Sequence, residues 1–393
     1  MAAHSTLRTT HRWLLCALLL LLTSCGGVDS GGTGSAVVYG PVNGLGSIIV
    51  DGVRFDERTA SITDEDGQPV ARDRLQLGVM TTVEGSATVS TATERLATAY
   101  KVRISSELVG PVDAINTSAQ TIEVLRQTVR ITPATVFEDG LQAGLADLQT
   151  GMVVEVFARL DSVTGTYAAT RIEQRPGVAS YMLRGKIDRV DAMALRFRVG
   201  QLDMDFSSVP PADAANVVAG STVRVRLQTT PSGSAWRAIS VSTGQRSLAD
   251  GDEAIVEGRI SAYESAQHFS VDGVRVDATM AAFPDGELAI VLGARVSVEG
   301  STRQGVLSAS VVRFEGDEDA SNSQFEVHGT IDTLDTVRRT LVVHGVAVDY
   351  SGNVEFVAGT IADMAVGKAI EVKGGLQPDG VGLVAQRIEF KSN

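Results

Sequence analysis

The side chains able to do chemistry in this chain are few and scattered. Of five histidines, three lie beyond the N-terminal segment: His268, His328 and His344. A zinc site wants several converging nitrogen or sulfur ligands, and the His328/His344 pair has no cysteine or third histidine beside it. Carboxylates cluster at Asp64-Glu65-Asp66-Gly67 and at Asp317-Glu318-Asp319. Such groups suit a hard cation like calcium, yet neither follows the EF-hand loop spacing with its closing glutamate. The chain has seven Asp-Gly pairs, which serve equally well as turns. No Gly-x-Ser-x-Gly elbow is present, and no pair of carboxylates stands out for acid–base work on a glycosidic bond. The chain is therefore expected to be non-enzymatic, with no catalytic residue, no metal ligand and no cofactor assigned. A metal-dependent enzyme built on His328, His344 and nearby acids, or one acting on glycans, is the alternative.

The N-terminus carries Arg8 and Arg12, then an apolar run from Trp13 to Leu22. As a helix this run rises only about 15 Å, roughly half of a hydrocarbon core, so it reads as a cleaved signal peptide over 1–24. Leu22-Thr23-Ser24-Cys25-Gly26 follows, which resembles a bacterial lipobox with Cys25 as the lipidated residue. Acyl chains on Cys25 hold a soluble body at a membrane, each buried methylene adding about 0.8 kcal/mol. Gly26 stands where inner-membrane lipoproteins carry an aspartate, which favours the outer membrane of the cell envelope. Cys16 leaves with the signal, so no thiol remains for disulfides or metal. Residues 25–39 are rich in Gly and Ser and read as a tether. Loss of the two arginines takes the formal charge from −13 to about −15, which repels phosphate backbones and argues against nucleic acid as a partner.

The elements that must position any site come from a repeat of about 70 residues. Gly40, Gly110, Gly185, Gly258 and Gly329 open successive units, and Gly78, Gly151, Gly220, Gly293 and Gly367 recur late in each. After the late glycines, apolar residues alternate with polar ones: Val154/Val156, Val223/Val225, Val296/Val298 and Ile370/Val372, with Thr81 and Val83 in the first unit. Glu155, Arg224, Ser297 and Glu371 lie between and are expected to face water. This is the period of a strand with one buried face. An Ala-x-x-(Ile/Val) strand, such as Ala385 to Ile388, then ends each unit.

The fifth copy predicts strands at Val327–Leu334, Thr340–His344 and Val346–Tyr350, a helix at Thr360–Ala365, and strands at Lys368–Gly374 and Leu383–Lys391. Asp51-Gly52, Asp272-Gly273 and His344-Gly345 supply hairpin turns. Three strands, a short helix and two strands is the OB-fold order, and closure removes exposed edges. The expected architecture is all-β: five tandem five-stranded OB-like barrels over 40–107, 108–176, 181–246, 253–316 and 325–391. A small β-sandwich per unit is the alternative. Polar joints at Arg175-Pro176-Gly177, 247–252 and 316–323 predict beads on a string. Phe55, Phe197 and Phe269 are expected in barrel cores, and Trp236, alone beyond the signal, offers no sugar-stacking platform.

GLGSIIVDGVRFD over Gly44–Asp56, with the repeated G-x-(I/V)-x and later G-x-x-(V/I)-x-V strands, resembles the proteobacterial lipoproteins built from the domain of unknown function 5666. The likeness runs from Gly40 to Phe390, is closest in the first unit, and is weakest in the second and third. It implies architecture and envelope location and brings no activity with it. The expected role is binding or scaffolding through the barrels, toward an envelope protein or glycan, with a plain structural spacer as the alternative.

Overall fold

The computed structural model describes residues 35–91, 94–161, 164–231, 233, 235–314 and 324–391. Within them the chain follows one course five times. In the second repeat, Leu108–Asn116 pairs antiparallel with Thr121–Val124, and that strand with Gln127–Arg130. Gln127–Arg130 runs parallel to Thr166–Gln174, which pairs antiparallel with Val153–Asp161, and the latter returns to the first strand. This ring, 1-2-3-5-4-1, is the closed Greek-key barrel of the OB-fold. The same ring closes in the other four repeats. Barrels, not sandwiches, are the unit.

Both glycine sets have a physical cause. Each late glycine has φ between 81° and 86°, a left-handed conformation that a Cβ disfavours. That conformation aims its N–H at the first strand: Gly78 at Val42 O, Gly151 at Val112 O, Gly220 at Ile187 O, Gly293 at Ile260 O and Gly367 at Ile331 O, all 2.7–2.9 Å. The acceptor is always the Val or Ile two residues past the opening glycine, and the first strand bulges just after it in every barrel. The opening glycine lies beneath the end of the second strand. A Cβ at Gly110 would meet Leu125 at 2.5 Å, and one at Gly185 would meet Val199 at 2.5 Å.

Where a helix was expected there is one turn. Thr360–Ala365 reduces to a 3₁₀ turn at Ile361–Asp363, capped by reciprocal Thr360 and Asp363 bonds. Arg72–Arg74, Gly144–Asp147 and Glu287–Ala289 are also single 3₁₀ turns, and Pro211–Ala214 is one turn of α-helix with proline at its start. Segments this short cannot recover the cost of helix nucleation by lengthening, so they bridge two strands and no more.

The barrels are not beads on a string: residues from Gly34 onward form one compact unit. The first barrel is the hub. Its first strand, Ser35–Leu45, starts inside the segment read as tether and runs parallel to the first strands of two other barrels. Ala36–Tyr39 pair with Glu253–Val256 of the fourth barrel, and Gly44–Leu45 with Glu326–Val327 of the fifth. The second and third barrels join through Leu108–Val109 and Met182–Leu183. One apolar core links barrels one, four and five, and another links two and three. Among the described residues, no helix is long and apolar enough to cross a membrane.

Candidate functional site

The strand-four charges that alternate with the buried valines were expected to face water, and three of them face a neighbouring barrel or a buried ion pair instead. Glu155 accepts from Arg74 of the first barrel at 2.9 Å. Arg224 binds Asp66 of the first barrel at 2.8 Å. Glu371 is buried and lies 3.0 Å from Lys391 and 3.3 Å from Lys373. A period of two fixes which face a side chain takes. It carries no information on whether that face meets solvent or another barrel.

Asp64-Glu65-Asp66-Gly67, read as a conceivable calcium loop, is committed to arginines. Glu65 bonds Arg184, and Asp66 bonds Arg224 and Arg226 of the third barrel. Arg224 and Arg226 hold the Asp66 carboxyl below its usual range. Arg175, expected in a free joint, binds Glu155 at 2.8 Å and also Glu173, which takes Arg74 at 2.5 Å.

The seam is deepest where the first-to-second and third-to-fourth joints meet. Glu107, in one joint, is 1% exposed and accepts from Arg246, in the other. Its second oxygen lies 3.7 Å from Arg184 Nε. Arg184 donates to Gly244 O at 2.5 Å and reaches Glu65. The Arg246 guanidinium also lies 4.9 Å above the Tyr39 ring and donates to Asp272 O at 2.7 Å. Asp272 is the first residue of the fourth barrel's hairpin turn, at φ 45°, and its carboxylate turns inward to within 3.8 Å of Arg159 Nε. Burial pushes the Asp272 carboxyl up to about 6, against the pull of Arg159 and Arg246.

Beside this seam the second, third and fourth barrels line a half-open cavity of about 630 Å³, a volume typical of small-molecule sites. Glu107, Arg184, Arg246 and Asp272 form its charged floor. Thr128, Thr166, Thr222 and Ser261 bring hydroxyls to its walls, and glycines at 165, 200, 220, 244 and 273 leave bare backbone there. Arg126 and Lys186 line it too, are exposed, and have no ion pair among the described residues. Sequence reasoning met Gly220 and Asp272-Gly273 only as repeat and turn positions and missed the cavity, because the lining comes from three repeats and from no single motif.

The histidines do not converge. His344 is an exposed hairpin-turn residue at φ 52°, His328 is half-buried on Phe325–Asp335, and His268 lies exposed 3.9 Å from Asp277. Among the described residues one carboxylate trio, Glu94, Glu326 and Glu371, brings its oxygens within 4.8 Å of one another. Arg54, Lys373 and Lys391 already neutralise it, Arg54 lying 2.9 Å from Glu94, Lys373 3.0 Å from Glu326 and Lys391 3.0 Å from Glu371. Phe55, Phe197 and Phe269 are buried in their barrels, and Trp236 is half-buried with its ring centroid 5.5 Å from that of Tyr181. Cys25 and Asp317-Glu318-Asp319 lie outside the described residues.

Residues 109–173, 257–313 and 328–389 match the family model of the domain of unknown function DUF5666, so the chain carries repeated copies of that domain in its second, fourth and fifth barrels. The first unit, expected to be the closest match, and the third lie outside the match. No curated protein matches the chain. Among solved structures, drosophila Unr CSD456 aligns at 13% identity over 59% of this chain and all of its own, with a TM-score of 0.15, and carries no argument.

Proposed function

We propose that this protein is a non-enzymatic lipoprotein of a bacterial cell envelope, anchored through Cys25 at the outer membrane, whose fused barrels form a rigid platform for binding or scaffolding. The observation that carries this is the locking of five barrels into one body by shared strands and buried ion pairs. A spacer needs only length, whereas ordering so many charged side chains is costly and holds surfaces from different barrels in fixed register. The acidic charge continues to argue against nucleic acid, and the lipobox-like residues around Cys25 support the anchor.

The test is in-cell cross-linking of the full chain beside its Cys25→Ser variant, followed by isolation of adducts from membrane fractions. Adducts with an envelope protein or glycan that depend on Cys25 are expected. A chain that fractionates identically with and without Cys25 and yields no adduct would contradict the reading.

A further inference from the structure

The cavity between the second, third and fourth barrels has a charge pattern that runs against the rest of the molecule. The chain carries a formal charge of −13. Charged residues lining the cavity are Arg126, Arg184, Lys186 and Arg246 against Glu107, Asp188 and Asp272. The floor is internally matched, two arginines against two carboxylates: Glu107 faces both Arg184 and Arg246, and the Asp272 carboxylate lies on the same floor, 3.8 Å from Arg159 Nε. The positive excess therefore falls on Arg126 and Lys186, two exposed side chains from different barrels. Asp188, also exposed, is occupied by the Gly200 N–H at 2.6 Å.

We infer that this cavity binds a small polyhydroxylated anion, such as a sugar carrying a carboxylate or phosphate, with its charged group on Arg126 and Lys186. The hydroxyls of Thr128, Thr166 and Thr222 on its walls both donate and accept, which matches a ligand rich in hydroxyls. Tyr167, the aromatic residue of the lining, is fully buried with its hydroxyl bonded to Arg184 O at 2.6 Å. It offers no face for stacking, so charge rather than ring contact supplies the selectivity. This site is separate from the envelope-partner reading and stands or falls without it.

The test is calorimetric titration of the full chain in detergent with glucuronate, glucose 6-phosphate, glucose and inorganic phosphate. Saturable binding of glucuronate or glucose 6-phosphate is expected, with glucose at least ten-fold weaker. The stronger of the two anionic sugars identifies the charged group. The double variant Arg126→Ala/Lys186→Ala is expected to lose at least ten-fold while melting as the parent does, since both side chains are exposed. No binding of either anionic sugar, equal binding of glucose, inorganic phosphate as tight as glucose 6-phosphate, or an unaffected double variant would each overturn the inference.

Discussion

The inside of each barrel and the charged contacts at the seams between barrels follow different principles. Interiors are apolar and repeat: Val154, Val223, Val296 and Ile370 occupy one position in four barrels and are all buried. The seams add to their shared apolar cores and paired strands a set of charged contacts that do not repeat: Glu107–Arg246 joins two linkers, Arg74–Glu155 a turn to a strand, and Arg95–Glu253 a fifth strand to a first strand. Apolar interiors tolerate exchange of similar side chains, because burial is non-directional. A buried ion pair does not, because removing one partner strands the other charge. The repeat thus supplies five similar barrels, and singular charged contacts fix how they meet.

The sharpest break of that comparison is Glu107→Ala, which leaves Arg184 and Arg246 short of a partner in a buried site. A loss of about 3–5 kcal/mol is expected by denaturant unfolding. The exposed pair Arg338–Asp335 on the fifth barrel provides the contrast, and its removal is expected to leave the unfolding midpoint unchanged.

Gly46→Ala tests a seam made of backbone. Gly46 has φ 98°, and a Cβ there would lie 1.9 Å from the His328 carbonyl of the fifth barrel. A cost of roughly 2–3 kcal/mol is expected from strain and displacement. At Gly220, φ 86° with open space around the Cβ position, alanine adds strain alone and is expected to cost about 1 kcal/mol.

Asp272→Asn gives a distinctive pH signature. A carboxyl whose pKa rises to about 6 on folding binds more protons in the native than in the unfolded state between its unfolded value and 6. Its contribution to stability is therefore largest at low pH and declines as pH rises through 6. Carboxylates held low, such as Asp66 and Glu371, act in reverse and lose their contribution as pH falls through the acid range. Melting from pH 5 to pH 8 is expected to show a downward contribution of order 1–2 kcal/mol in the parent that is absent in Asp272→Asn.

This division also decides what could be read from sequence. Periodic glycines and alternating valines report local constraints, and they located strands, hairpins and barrel order; Phe325–Asp335 and Thr340–Val343 lie within a residue or two of the expected spans. The expected helix failed because OB connectivity tolerates a single turn at that position. Glu107, Arg184, Arg246 and Asp272 lay beyond reach because each is unremarkable in its own repeat and meets the others only through packing. Polar joints suggested mobility for the same reason: Arg175 looks solvated until Glu155, Glu173 and Arg74 of the first barrel are packed around it.

The most direct test of the central claim, that five barrels form one body, is small-angle scattering of the chain from Gly34 onward. A single compact unit of this length is expected to have a radius of gyration of about 21 Å. A value above about 30 Å, or one that varies with the polar joint at 247–252 lengthened, would mean independent barrels and would contradict the account.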